Sequence, residues 1–285
     1  MYAIQSDFVT TESGHVLSGL RAAQIGFVAG TLNGLIGVGG GIVMTPGLVV
    51  YGRTSPQVAV GTSLAAVVVL SFAAFVMHAS FGGLGLGTSS IVVVVVAGMA
   101  GAQLGGWILA RLTASWMLLM FSAFLLVMSV RLLIQAFGIE TGLESESTEW
   151  RGVAPWWAYP AIGFTSGILS GVFGVGGGAL VLLGFAVLFG MPVREGIPLA
   201  LLVNVTNALA GCIRHSRAGR VLWREVRRMV PAALLGVMLG TTVAIWLPPD
   251  VLRIVFGAFF LFMSVYVAHQ ATSRKKALLK DAPGK

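Results

Sequence analysis

The chain has 285 residues, of which 56% are hydrophobic and only 10% charged, against roughly 25% charged in an ordinary soluble domain. A globular domain of this length cannot hide so much apolar surface from water, so a soluble enzyme or binding module is excluded and an all-α polytopic membrane protein is expected. The formal net charge of +8 does not indicate nucleic acid, because the basic residues are clustered directly beside hydrophobic spans.

Residues 1–16 carry no Lys or Arg, so a cleavable signal peptide with a charged leading region is not expected. Four apolar segments follow, near Ala22–Val50, Val58–Met77, Ile91–Ala110 and Trp116–Phe137. They reach or approach the roughly 20 residues that span the hydrocarbon. The valine run Val92–Val96 lies inside one of them and is assigned to helix, since lipid offers no partners to an open strand. The acidic stretch "GIETGLESESTEWRG" (Gly138–Gly152) reads as an exposed linker. Four more segments fall near Trp156–Phe189, Ile197–Ile213, Met229–Leu247 and Val251–His269. Between the second and third of these, "CIRHSRAGRVLWREVRR" (Cys212–Arg228) holds six arginines, and the tail from Arg274 to Lys285 holds five more Lys or Arg. Both are expected on the cytoplasmic side of a cell inner membrane. Cys212 is the only cysteine, so no intrachain disulfide can form.

The two halves repeat one another. Shifted by 137, Gly26-Phe27, Gly30, Leu32, Gly34 and Gly37 through Gly41 fall on Gly163-Phe164, Gly167, Leu169, Gly171 and Gly174 through Gly178, with ten identities in sixteen positions. The same shift sets His78 on His215, and a shift of 135 sets Phe121, Met128, Ser129 and Val130 on Phe256, Met263, Ser264 and Val265. The expected organisation is a first membrane repeat (1–137), an acidic linker (138–152), a second membrane repeat (153–270) and a basic tail (271–285). The leading segment of each repeat is too long for one crossing: Trp156–Phe189 would run about 51 Å as a single helix. A "GVGGG" cluster lies inside each, which predicts a helix broken at the glycines. The break forms either a re-entrant hairpin or a full span followed by a half-helix. Four crossings per repeat leave the copies parallel; three crossings plus a hairpin invert the second. The inverted arrangement is preferred because broken helices and inverted repeats occur together in transporters.

Glycines at every fourth position (Gly26, Gly30, Gly34; Gly163, Gly167, Gly171) make a smooth groove for a packed neighbour. The clusters are different. Gly37, Gly39, Gly40 and Gly41, with Gly174, Gly176, Gly177 and Gly178, free the backbone from helical geometry. The short helix starting after each presents amides without internal partners and a partial positive charge, a place for an anion. The competing reading is a hinge for packing. A nucleotide loop is set aside, because no Gly-Lys-Ser/Thr follows either cluster. Polar groups within spans add candidates: Asn33, Thr62, Ser63, Ser170, Asn204 and Asn207 as substrate contacts, alongside interhelical bonding as their plainer role. His78, His215, Arg53 and Arg194 are candidates for gating or proton linkage. No Asp or Glu lies well inside a span, and neither a metal nor a cofactor is expected.

The duplicated four-segment unit, opening with G-x-x-x-G-x-x-x-G, then "GVGGG", then "PQVAVGTSL" (Pro56–Leu64), resembles the sulfite exporter TauE/SafE family of membrane permeases from about Leu20 to His269. The second copy departs from the pattern where Pro198 and Leu199 replace Gly61 and Thr62. The resemblance implies a secondary transporter or facilitator that exports a small sulfur-containing anion such as sulfite, sulfoacetate or another organosulfonate. Its partners would be that anion and the lipid bilayer; homo-oligomers are compatible with it. The alternatives from other classes are a non-transporting membrane assembly partner and an intramembrane hydrolase built on Ser170.

Overall fold

A computed structural model of the chain describes residues 17–37, 39–79, 86–137, 154–189, 191 and 193–280. The leading residues 1–16, the expected linker, the end of the tail (281–285) and the side chain of Arg194 lie outside the described residues. Ten α-helices and no strand occur among the described residues: α1 (Gly19–Ile36), α2 (Gly41–Val50), α3 (Pro56–Ala79), α4 (Thr88–Leu109), α5 (Ala114–Ala136), α6 (Ala158–Phe173), α7 (Gly178–Phe189), α8 (Val193–Arg217), α9 (Trp223–Trp246) and α10 (Pro249–Lys280). Among the described residues, five stretches are long and apolar enough to cross a membrane: Pro56–His78, Thr88–Leu109, Ser115–Ile134, Glu195–Arg217 and Trp223–Ala244. The valine run lies within α4.

Helix ends follow local chemistry. Ser18 caps α1 by accepting from the Arg21 amide at 3.4 Å, and Pro56 opens α3, where its missing N–H leaves nothing unpaired. The helices run past the apolar segments. α8 continues through Arg214, His215 and Arg217, because arginine is a good helix former and cations suit the negative end of the helix.

The helices fall into two compact units, one from 1–110 and 145–245, the other from 111–144 and 246–285. In the first, α1 lies along α9 and α6 lies along α4. A methyl group built on Gly26, Gly30 or Gly34 would overlap the carbonyl oxygens of Met229, Ala233 and Val237, and one on Gly163, Gly167 or Gly171 those of Val94, Gly98 and Ala102. Residue numbers rise together in both pairs, so each pair is parallel. The glycine stripe of each half thus packs on the third long helix of the other half. α3 and α8 run antiparallel: Gly61 meets His215, and Leu64 meets Gly211. In the second unit α5 and α10 are antiparallel, joined by Ser129 Oγ donating to the Gly257 carbonyl at 2.7 Å and Ser264 Oγ to the Ser122 carbonyl at 2.9 Å.

Valine at Gly30 or Gly167 is expected to lower stability by about 1–3 kcal/mol or more, since the obstacle is backbone and cannot rotate away. Gly19, with nothing within 4 Å of its missing methyl, is the control. Thermal unfolding in detergent checks both.

Candidate functional site

Two turns define the site, and both begin in the same way. α1 ends where Gly37 takes a left-handed conformation (φ 70°) and donates its amide to the Asn33 carbonyl at 2.8 Å. α6 ends where Gly174 (φ 73°) donates to the Ser170 carbonyl at 2.8 Å. Such a cap needs a residue without a Cβ. After each turn the chain doubles back. Gly40 faces Ala29 and Gly47 faces Ile25, so α2 descends along α1; Gly177 faces Ser166 and Gly184 faces Ile162, so α7 does the same along α6.

The turns touch. A methyl on Gly39 would overlap the Val175 carbonyl oxygen, and one on Gly41 the Gly174 carbonyl oxygen. Backbone therefore meets backbone, which brings carbonyls and amides from both halves into a dry interior where each must find a partner. Side chains supply those partners. Asn204, midway along α8 and fully buried, donates through Nδ2 to the Gly37 carbonyl at 2.7 Å and accepts the Gly178 amide on Oδ1. One carboxamide thus spans both turns. Ser63 Oγ, on α3, donates to the Gly174 carbonyl at 3.0 Å. Asn33 Oδ1 accepts the Gly39 amide at 3.0 Å and the Ser71 hydroxyl at 3.4 Å. Asn207 Nδ2 donates to Ser166 Oγ at 3.4 Å.

Some polar atoms at the turns stay unspent. Asn33 Nδ2, Thr45 Oγ1, Ser170 Oγ and Asn207 Oδ1 have no hydrogen-bond partner among the described residues, and all four residues are 0% exposed. Thr45 Oγ1 lies 2.8 Å from where a Gly174 Cβ would stand, and Asn207 Nδ2 lies 3.1 Å from the corresponding point of Gly177. Leaving such a group unsatisfied costs about 1–3 kcal/mol. Three of the residues can donate, through the Asn33 amide and the Thr45 and Ser170 hydroxyls, and α2 and α7 both start beside them.

Of the residues singled out in the sequence, the turn glycines, Asn33, Ser63, Ser170, Asn204 and Asn207 are gathered at this place. Thr62 is not: its Oγ1 accepts the Leu222 amide at 3.0 Å, tying the α8–α9 loop to the start of α3. His78 is at the end of α3, with Nδ1 3.0 Å from the Ala74 carbonyl. His215 is 2% exposed beside Gly61, with no partner for either ring nitrogen among the described residues. Arg53 is exposed in the α2–α3 loop at φ 49°. Arg194 belongs by backbone to the first turn of α8. Sequence reasoning missed Thr45, Ser71 and Ser166. Thr45 alone carries a usable signal, a hydroxyl one helical turn after Gly41.

A family model described as "Sulfite exporter TauE/SafE" matches residues 22–211 and 194–284. A "Probable membrane transporter protein" of Xylella fastidiosa (strain Temecula1) is 31% identical over 267 residues, covering 93% of this chain and 95% of its own. "Probable membrane transporter protein YunE" of Bacillus subtilis is 25% identical over 236 residues, covering 77% and 86%. No solved structure matches the chain.

Replacing Asn204 by Ala leaves the Gly37 carbonyl and the Gly178 amide unpaired, so a loss of about 1–3 kcal/mol per group is expected. Ser63→Ala strands one carbonyl and should cost about half as much. Thermal unfolding of the two variants side by side measures the ratio.

Proposed function

The chain belongs to the sulfite exporter TauE/SafE family and is a multi-pass membrane transporter, and on that premise we propose that it carries a small sulfur-containing anion outward, held where its two glycine turns meet. The observation that carries this reading is the set of unspent donors buried around the two turns, Asn33 Nδ2 and Ser170 Oγ in the last turns of α1 and α6 and Thr45 Oγ1 one turn into α2. Helix starts attract negative charge without a fixed cation. Neutral donors can bind an oxyanion and still release it, which suits a carrier better than a tight receptor.

The topology we propose has a re-entrant hairpin and three crossings in each half, with the second half inverted. The antiparallel course of the equivalent helices α3 and α8 supports inversion, and the doubling back of α2 on α1 and α7 on α6 supports hairpins. In this arrangement the Arg-rich α8–α9 loop, the start of α1 and the basic tail are cytoplasmic, and the acidic linker is outside. Arg228 Nη1 donating to the Leu17 carbonyl at 3.3 Å agrees, since it joins the starts of α1 and α9. The repeat boundaries at 1–137 and 153–270, and an inner-membrane location, belong to the same proposal. An inside-negative potential then drives a monovalent anion outward with about 2.3 kcal/mol per 100 mV.

Thr45→Val and Ser170→Ala test the site without breaking any bond in the structure. Neither substitution should lower thermal stability, because each removes a group that has no partner. Each should reduce sulfite or sulfonate flux in proteoliposomes by about tenfold or more, given about 1.5–3 kcal/mol for a hydrogen bond to a charged group. Wild-type flux in both variants would sink the proposal.

A further inference from the structure

The charge of the cargo follows from the charge of the site, and this inference rests on the site proposed above. Each turn joins the negative end of one helix (α1 or α6) to the positive start of the next (α2 or α7), so the turns present oriented amides and partial charges of both signs with little net charge. Some of those amides are already answered, because Asn33 Oδ1 takes the Gly39 amide and Asn204 Oδ1 takes the Gly178 amide. Among the described residues, Val67, Ile197 and Leu201 meet the turns through their side chains and Val60 and Ala200 through their backbone, all uncharged. The described arginine of α8 nearest to Asn204 along the chain is Arg214, ten residues or about 15 Å of helix away. Glu225, the buried carboxylate at the start of α9, pairs with Arg228 at 3.4 Å and makes no hydrogen bond to either turn.

Desolvation cost rises with the square of the charge, so a dianion costs about four times what a monoanion does to bring into a low-dielectric interior. A monoanion needs the least compensation, chiefly hydrogen bonds for its oxygens. The two helix starts and the three free donors match that demand. A dianion would need a cation beside the turns, and none meets them among the described residues. We infer that the two-turn site, with its unspent Asn33, Thr45 and Ser170 donors and no cationic side chain among the described residues that meet it, selects monoanions: organosulfonates and hydrogensulfite pass, whereas the sulfite and sulfate dianions are excluded.

The test uses the full chain in proteoliposomes under a fixed potential, with three probes over a pH range that crosses the second ionisation of sulfurous acid. Methanesulfonate is monoanionic throughout, sulfate is dianionic throughout, and sulfite changes charge. Methanesulfonate flux should define the protein's own pH response. Divided by it, sulfite flux at fixed total concentration should fall about tenfold per pH unit above that ionisation, in step with hydrogensulfite. Sulfate flux should stay at the level of empty liposomes, and one charge should cross per sulfur atom. A normalised sulfite flux that holds level or rises with pH, a sulfate flux comparable to sulfite, or two charges per sulfur each overturns the monoanion rule while leaving the anion site standing. If neither methanesulfonate nor sulfite moves, the site itself falls and the rule with it.

Discussion

Everything in the larger unit is arranged around direct contact between two peptide turns inside a dry interior. Gly39 and Gly41 press against the carbonyls of Val175 and Gly174 with no room for a methyl group. Contact that close exposes carbonyls and amides that have left the helical ladder, and lipid cannot solvate them. Asn204 answers one carbonyl and one amide at once, and Ser63 and Asn33 answer two more groups. The carboxamides and hydroxyls do the work that water does in a soluble loop. Their number slightly exceeds the need, and the surplus is what the proposed anion would use.

The crossed pairing of helices explains how such turns are held inside the larger unit. Each hairpin rides on a helix of the opposite half: α1 on α9, and α6 on α4. Neither half can therefore complete the packing of its own opening helix. The bonds to the turns cross in the same sense, since the Gly37 carbonyl is served from α8 and the Gly174 carbonyl from α3. Two similar backbones are nonetheless lined by different side chains. Asn33 corresponds to Ser170 and Asn204 to Val67 under the shift of 137. The backbone duplicates the turn, while the side chains make the centre asymmetric.

The proposed site, with no fixed charge among the described residues, would also have a kinetic consequence. A buried cation would hold an oxyanion firmly and would itself need a partner whenever the cargo leaves, at a cost of several kcal/mol. Neutral donors leave smaller debts behind: the three unsatisfied donors Asn33 Nδ2, Thr45 Oγ1 and Ser170 Oγ cost about 1–3 kcal/mol each. Arginines are instead concentrated at the ends of α8 and α9, where water screens them.

Particular residues mark how far the amino-acid sequence reaches. Apolar length and the scarcity of charge determined a helical, membrane-spanning chain, because transfer to lipid is summed segment by segment. Glycine identity marked where left-handed backbone is tolerated, because that freedom belongs to the single residue. The partners were decided only in three dimensions. Thr62 and Ser63 are neighbours in sequence, yet one ties down the Leu222 amide 160 positions away and the other the Gly174 carbonyl 111 positions away. Thr45 offers a hydroxyl one helical turn after Gly41, but that it faces Gly174 and finds no partner among the described residues appears only in the packed structure. A hydrogen bond is a property of two groups, so which donors remain unspent is settled only after the distant parts of the chain have packed.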